Sequence, residues 1–297
     1  MKTEIKQEKL SAAQLLLRNG KAEDAESYGI ICYRAFKTIA EAHNFPPDFP
    51  TPEAAIGLFS YLLSNEAVYS VVAEADGHPS GSNFLWESDS IAGVGPITID
   101  PAVQNKSIGR KLMEAVLERA KKKNAAGVRL VQSAYHNRSL SLYTKLGFDA
   151  REPLSLMQGP ALKLSIPGYT VRKATMEDLE ACNLLAFHLH GFNRNGELKQ
   201  AIQAGNAIVS EFNDRITGYT TGIAFFGHSV AETNDALKAL IGAAENFSGP
   251  GFLLPTRNAD LLRWCLHNGL KIVQPMTLMS IGFYNETKGA FLPSILF

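Results

Sequence analysis

A short polar segment near the middle of the chain carries small and basic residues at a spacing that suits phosphate binding. It reads Gln104-Asn105-Lys106-Ser107-Ile108-Gly109 and is followed by Arg110 and Lys111. An apolar run at 91–99 precedes it, and apolar residues recur at helical spacing from Ile108 onward. The first turn of a helix has unpaired N–H groups and the positive end of the helix dipole, so a loop of small residues around it can bind an anion. The sequence therefore predicts a phosphate or diphosphate site here, with an ordinary helix cap as the alternative.

Several elements are needed to position this segment. The run at 91–99 predicts a buried strand, residues 108–120 an amphipathic helix, 128–134 a second strand, and 137–146 a second helix that Gly147 closes. Two familiar phosphate loops are excluded. The sequence has no GxxxxGK[ST] motif, and Gly93-Val94-Gly95 is followed by Pro96 instead of a helix.

The stretch 91–148 resembles motifs A and B of the GNAT (GCN5-related) N-acetyltransferases. The pattern Q/R-x-x-G-x-G/A stands here as Gln104-x-x-Ser107-x-Gly109, and the second signature stands as Asn137, Tyr143 and Gly147-Phe148. Serine replaces the first glycine of the pattern. We expect this change to be tolerated if the position does not need a positive φ.

The resemblance implies acetyl-coenzyme A as cofactor, with its diphosphate on the loop amides and its thioester carbonyl against main-chain N–H groups of 94–99. It implies that Tyr143 is the general acid that protonates the sulfur. The alternative is a structural tyrosine whose ring packs in the core and whose hydroxyl contacts water. The implied cofactor-binding residues are Ile97, Thr98, Ile99, Gln104, Asn105, Lys106, Ser107, Ile108, Gly109, Arg110, Lys111, Asn137 and Tyr143.

The same resemblance implies an acceptor cleft, one wall of which is formed by the segment between the first strand and the next hairpin. Its implied lining is Tyr33, Phe36, Phe45 and Phe49, the alternative being that Phe45 and Phe49 only pin a loop to the core. The general base stays open. Many relatives carry a glutamate on the strand before the loop, but 91–99 has none, which leaves Glu87, Asp100, His136 or a water chain.

A residue pattern near the start of the chain recurs in its second half. Arg18, Glu23 and Asp24 match Arg172, Glu177 and Asp178 in spacing, which predicts two copies of one fold. We predict an α/β (α+β) protein of two tandem GNAT-like domains, each a mixed, mostly antiparallel sheet flanked by helices, at 1–160 and 168–297.

The second copy lacks the residues that the resemblance ties to chemistry. Its counterpart of the loop, at 227–234, contains Glu232, and Trp264 stands where the first copy has Tyr143. We predict a degenerate copy with a structural role. The apolar tail at 289–297 is expected to pack on the first domain or on a second subunit, as in a homodimer.

Composition narrows the class of partner and the compartment. Of 297 residues, 29 are Lys or Arg and 29 are Asp or Glu, which argues against nucleic-acid binding. The three cysteines are scattered and fit no disulfide framework or metal site, so no metal is predicted. The charged N-terminus and the absence of an apolar run of about eighteen residues predict a cytoplasmic protein with no membrane partner.

Together these features predict an N-acetyltransferase that moves acetyl from acetyl-coenzyme A to a primary amine of a small molecule or peptide. The alternative is a non-catalytic module that binds or senses acyl-coenzyme A. The loss of the strand glutamate and the serine at position 107 leave room for that alternative.

Overall fold

The computed structural model describes residues 15–103 and 107–296. The first half contains β1 (Leu15–Asn19), α1 (Ala25–Ala42), α2 (Pro52–Ser64), β2 (Val68–Ala75), β3 (His78–Trp86), β4 (Ile91–Val94), β5 (Thr98–Ile99), α3 (Ile108–Lys122), β6 (Gly127–Ser133), α4 (Asn137–Lys145) and β7 (Asp149–Gln158). The second half contains β8 (Tyr169–Lys173), α5 (Leu179–His190), α6 (Asn195–Gln203), β9 (Ile208–Phe212), β10 (Arg215–Thr220), β11 (Ser229–Ala231), α7 (Asn234–Ala243), β12 (Phe252–Pro255), α8 (Ala259–His267), β13 (Lys271–Gly282) and β14 (Ala290–Leu292).

An arginine–aspartate clamp opens each half and supports the predicted repeat. The guanidinium of Arg18 donates to both carboxylate oxygens of Asp24 at 2.7 and 2.8 Å, and Arg172 does the same to Asp178 at the same distances. Because Arg172 donates to it, the pKa of Asp178 falls to about 2. Each clamp ties the first strand of its copy to the turn that begins the first helix.

The described strands form two sheets, and antiparallel pairing dominates. One sheet has the order β1-β2-β3-β4-β6-β13-β7-β12, with β5 paired to β3, and the other has the order β14-β11-β10-β9-β8. The pair β4–β6 is parallel, and helices α1, α2 and α3 pack against the first sheet. The predicted fold class, a mixed and mostly antiparallel sheet flanked by helices, is confirmed.

The two copies exchange their last long strands. Strands β7 and β13 are equivalent in the repeat, since each follows the last helix of its copy, α4 or α8. Yet β13 pairs with β6 of the first copy, and β7 pairs with β12 of the second. β7 and β13 also pair with each other, so one sheet runs through both copies. The division at 1–160 and 168–297 stays a prediction, and strand pairing crosses it.

The prediction of one continuous strand at 91–99 is wrong, because the structure has two short strands there. The strand ends as β4 at Val94 and resumes as β5 at Thr98, and among the described strands β5 pairs only with β3. Gly95 has φ 140°, a backbone conformation that favours glycine, and Pro96 has no N–H to donate to a ladder. The chain therefore leaves the sheet at this point.

The apolar tail packs differently from the prediction. β14 pairs with β11 of its own copy and lies against β12, so that Ala290 and Leu292 are buried in the core of the second copy. The residues after it, Ile295 and Leu296, line a cavity of the first copy. Within the described ranges, no helix has the length and apolar character needed to cross a membrane.

Candidate active site

One large cavity, of about 1030 Å³, opens where two neighbouring strands diverge. β4 and β6 pair only from Ile91–Gly127 to Gly93–Arg129. Beyond these pairs, residues 94–99 and residues 130–133 face each other across the cavity. The divergence therefore leaves a wedge between two stretches of main chain, and a long, thin ligand can enter it.

The N-terminus of α3 faces one end of this cavity. Ser107, Ile108, Gly109 and Arg110 line it, and the Ser107 side chain makes no capping hydrogen bond to the helix. The first-turn N–H groups are therefore not capped by that serine, as an anion site requires. The predicted residues Gln104, Asn105 and Lys106 lie outside the described residues. Lys111 is exposed and is not part of the lining.

The condition under which the serine at position 107 was expected to be tolerated is not met. Ser107 adopts φ 61° and ψ 10°, the left-handed conformation in which a Cβ atom crowds the following carbonyl. A glycine has no such penalty, and for that reason the family pattern carries one at this position.

We expect Ser107→Gly to stabilise the protein by about 1 kcal/mol, because relief of left-handed strain outweighs the added freedom of the unfolded chain. Thermal unfolding should show a rise in Tm of a few degrees. Ser165→Gly is the control, since Ser165 is exposed in a loop and has no positive φ, and it should leave stability unchanged or slightly lower. A lower Tm for Ser107→Gly would contradict this account.

Tyr143 lies on α4 and reaches the same cavity from the core side. Its side chain is 5% exposed, its ring packs edge-on against Phe148 at 6.1 Å, and its hydroxyl interacts with Ser139. Burial raises the pKa of Tyr143 to about 12, so the hydroxyl holds its proton at neutral pH. Tyr143 can therefore donate a proton in the cavity. Asn137 is exposed and is not part of the lining.

The acceptor-side residues divide into two pairs. Phe36 and Phe49 line the cavity, whereas Tyr33 packs in the core around α1 and α2. Phe45 stacks on Tyr135 with ring centroids 4.4 Å apart, which pins the loop. Sequence reasoning missed that the second half of the chain completes this wall. The residues it contributes are Phe225, Phe226, Gly249, Pro250, Met276, Ile295 and Leu296.

Sequence reasoning also missed two polar residues of the lining, Gln132 and Asp48. Gln132, on β6, is 6% exposed, and neither atom of its amide has a hydrogen-bond partner in the described part of the chain. Because leaving a buried amide unpaired costs about 1–3 kcal/mol, a ligand that pairs with it gains binding energy. A polar residue inside an otherwise apolar strand was the available signal for Gln132.

The three residues left open as general bases differ in position. Glu87 accepts from Arg119 at 2.6 Å, which lowers its pKa, and it is not part of the lining. Asp100 accepts from the Ala102 N–H at 2.9 Å and also lies outside the lining. His136 lines the cavity, and burial lowers its pKa, so it is neutral at physiological pH.

In the second copy, the counterparts of the helix N-terminus and of the wedge are occupied by other residues of the same copy. The Thr233 hydroxyl accepts from the Ala236 N–H at 3.2 Å and so caps α7, the counterpart of α3. β14 fills the place beside β11 and against β12 where the first copy has its wedge. Trp264, the counterpart of Tyr143, packs against the core of this copy. These contacts favour a structural role for the second copy.

Fold and site together define a two-copy α/β protein with an elongated ligand cavity in its first half. Residues 35–148 match the family model described as acetyltransferase (GNAT) family. The first half of the chain therefore contains an acetyltransferase domain of the GNAT family, whose general reaction is acetyl-CoA-dependent acetyl transfer.

Solved structures match almost the whole chain in fold. A putative acetyltransferase from Pyrococcus horikoshii aligns with TM-score 0.71 and 16% identity over 97% of this chain and 94% of its own. A GCN5-related N-acetyltransferase from Sphaerobacter thermophilus aligns with TM-score 0.59 and 14% identity over 92% and 96%. A tandem GNAT protein from the clavulanic acid biosynthesis pathway aligns with TM-score 0.54 and 13% identity over 91% and 98%. No curated protein matches the chain by sequence.

Proposed function

We propose that this chain transfers acetyl from acetyl-coenzyme A to a primary amine, in the cavity of its first half. The observation that carries the proposal is the wedge between residues 94–99 and 130–133, which joins the N-terminus of α3 at one end to the Tyr143 hydroxyl. The N–H groups of a helix N-terminus can bind the diphosphate of coenzyme A, and the wedge has room for the extended, amide-containing arm of the cofactor. The family match of residues 35–148 supports the same cofactor.

The described residues fit coenzyme A along the whole cavity. Ser107, Ile108, Gly109 and Arg110 would hold the diphosphate. Ile97, Thr98 and Ile99 would hold the arm along one side of the wedge. Basic side chains on α4 also line the cavity, namely Arg138 and Lys145, and they favour an anionic ligand.

Acetyl-coenzyme A, when bound, supplies the thioester and the thiolate leaving group. Tyr143 holds a proton at neutral pH and would give it to the departing sulfur, because a free thiol has a pKa of about 8–9. Main-chain N–H groups of 94–99 would stabilise negative charge on the carbonyl oxygen. The apolar side chains of the lining would limit the access of water to the thioester, so that hydrolysis competes less with the amine.

We expect one coenzyme A to bind per chain, because the helix cap of Thr233 and strand β14 close the second copy. Titration calorimetry should give a stoichiometry of one. Ser107→Glu should weaken binding at least tenfold, about 1.4 kcal/mol, because it places a carboxylate beside the diphosphate. Ser165→Glu is the control with the same charge far from the cavity and should bind normally.

Two equivalent sites per chain, or normal binding by a folded Ser107→Glu, would contradict the proposal. A screen of primary amines with acetyl-coenzyme A and a thiol-release readout tests the transfer itself. Tight binding without turnover on any amine would leave the sensing module as the better function.

A further inference from the structure

The charged side chains that line the cavity come from different elements. Arg110 comes from α3, and Arg138 and Lys145 come from α4. Asp48 is the only acid among the described lining residues, and it comes from the loop between α1 and α2. The basic side chains favour an anionic ligand such as a diphosphate, and the Asp48 carboxylate favours a cationic group.

Asp48 is held in place by a residue of the second half of the chain. Gln274, on β13, is 1% exposed, and its side-chain N–H donates to Asp48 Oδ1 at 3.2 Å. The Tyr135 hydroxyl donates to the Gln274 carbonyl oxygen at 3.1 Å. Phe45 stacks on Tyr135, so the loop that carries Asp48 is fixed at two points. In the described structure no side chain donates to Oδ2 of Asp48.

We propose that Asp48 binds the ammonium group of the acceptor and that Gln274 positions it for this role, so that both halves of the chain build the acceptor subsite. This inference rests on the proposed function. One carboxylate and a set of apolar side chains define the acceptor as a monoamine with an apolar body. Phe36, Phe49, Phe225 and Ile295 surround the body. A polyamine would need further acids, and the described lining has none.

The proton balance of the transfer is complete with these groups. Asp48 takes one proton from the ammonium group, which frees the nitrogen lone pair. The nitrogen then forms a bond to the thioester carbonyl carbon as the carbon–sulfur bond breaks, and the sulfur takes the proton of Tyr143. The second proton of the nitrogen restores the Tyr143 hydroxyl, and Asp48 releases its proton to solvent, so the ammonium form of the acceptor yields the acetamide, the free thiol and one released proton.

Desolvation supports the second role of Asp48, because it raises the pKa of this carboxyl to about 6. The titratable groups that face it are Tyr135 and Cys32, whose pKa values burial also raises, and they are neutral at neutral pH. His136 lines the same cavity, and His43 packs on Tyr135 at 5.1 Å. The Asp48 carboxylate is therefore formed as the pH rises through about 6, and amine binding should strengthen over that range.

The first test measures ligand affinity on the coenzyme A complex of the full chain by calorimetry. The probes are 2-phenylethylamine and its neutral analogue 2-phenylethanol. The wild type should bind the amine at least tenfold more tightly than the alcohol. Asp48→Asn should abolish this preference and leave coenzyme A affinity unchanged. Asp100→Asn is the matched control, because Asp100 lies outside the cavity, and it should keep the preference.

The second test asks whether Gln274 acts through Asp48. Gln274→Glu places a carboxylate beside Asp48, so the pH at which amine binding strengthens should move upward by about one unit, with coenzyme A affinity unchanged. Thiol release with 2-phenylethylamine should exceed that with spermidine at least tenfold.

Retention of the amine preference in Asp48→Asn, or faster turnover of spermidine, would overturn the inference. If a folded Gln274→Glu variant shows the wild-type pH dependence of amine binding, Gln274 does not position Asp48 as proposed. Each of these results is compatible with binding of one coenzyme A per chain, which tests the proposed function separately.

Discussion

Truncation after Gly159 is expected to leave an insoluble first half that does not bind coenzyme A. The truncation removes β13, which pairs with β6 from Met276–Ser133 to Gly282–Gly127 and with β7 on its other edge. Met276, Leu278 and Met279 are at most 3% exposed. Their burial alone is worth roughly 5–9 kcal/mol, which is comparable with the whole stability of a typical domain, about 5–15 kcal/mol.

The truncation also removes the partner of one edge of β6 and both partners of β7, namely β12 and β13, and such unpaired edges promote aggregation. A protease site inserted in the loop at 159–168 provides the control. After cleavage, the two fragments should co-elute in gel filtration and keep the coenzyme A affinity of the intact chain, because β7 and β13 hold them together. A soluble, monomeric fragment 1–159 that binds coenzyme A would show that the exchanged strands are dispensable.

The second large effect is expected for Tyr143→Phe, which should lower turnover by roughly 10²–10⁴-fold with little change in coenzyme A affinity. The substitution keeps the ring and its packing on Phe148 and removes only the hydroxyl. Loss of a proton donor acts on the transition state and not on ground-state binding. Steady-state kinetics and calorimetry together separate the two effects.

Two further measurements sharpen this prediction. An acyl donor whose thiol has a lower pKa should reduce the defect, because a better leaving group needs the proton less. In the wild type, this proton is lost only as the pH rises through about 12, so Tyr143 should cause no alkaline decline near neutrality. Tyr33→Phe is the control, since Tyr33 lies outside the cavity lining. Unchanged turnover in Tyr143→Phe would remove this residue from the mechanism.

The sequence was sufficient for those features that depend on neighbouring residues. Helices α3 and α4 were predicted close to their observed bounds, because their apolar residues recur at helical spacing. The two copies were predictable because a clamp such as Arg18–Asp24 joins residues six positions apart. The family was likewise identifiable, because its two signatures are short patterns that occur in a fixed order. These are the loop before α3, and then Asn137, Tyr143 and Gly147.

Tertiary structure alone decided the features that depend on residues far apart in the chain. Local periodicity is the same whether β13 pairs within its own copy or with β6, so the sequence could not show the strand exchange. The backbone of Ser107 is left-handed because the loop must turn into α3, and residue type alone favours the opposite.

The acceptor subsite shows the same limit most clearly. Asp48 and Gln274 are 226 positions apart and meet only because β13 crosses into the first copy. Each residue alone is an ordinary polar side chain, in a proline-rich loop and in an apolar strand. Their burial beside a shared cavity gives the carboxylate its raised pKa, and burial is a property of the packed fold and not of the chain.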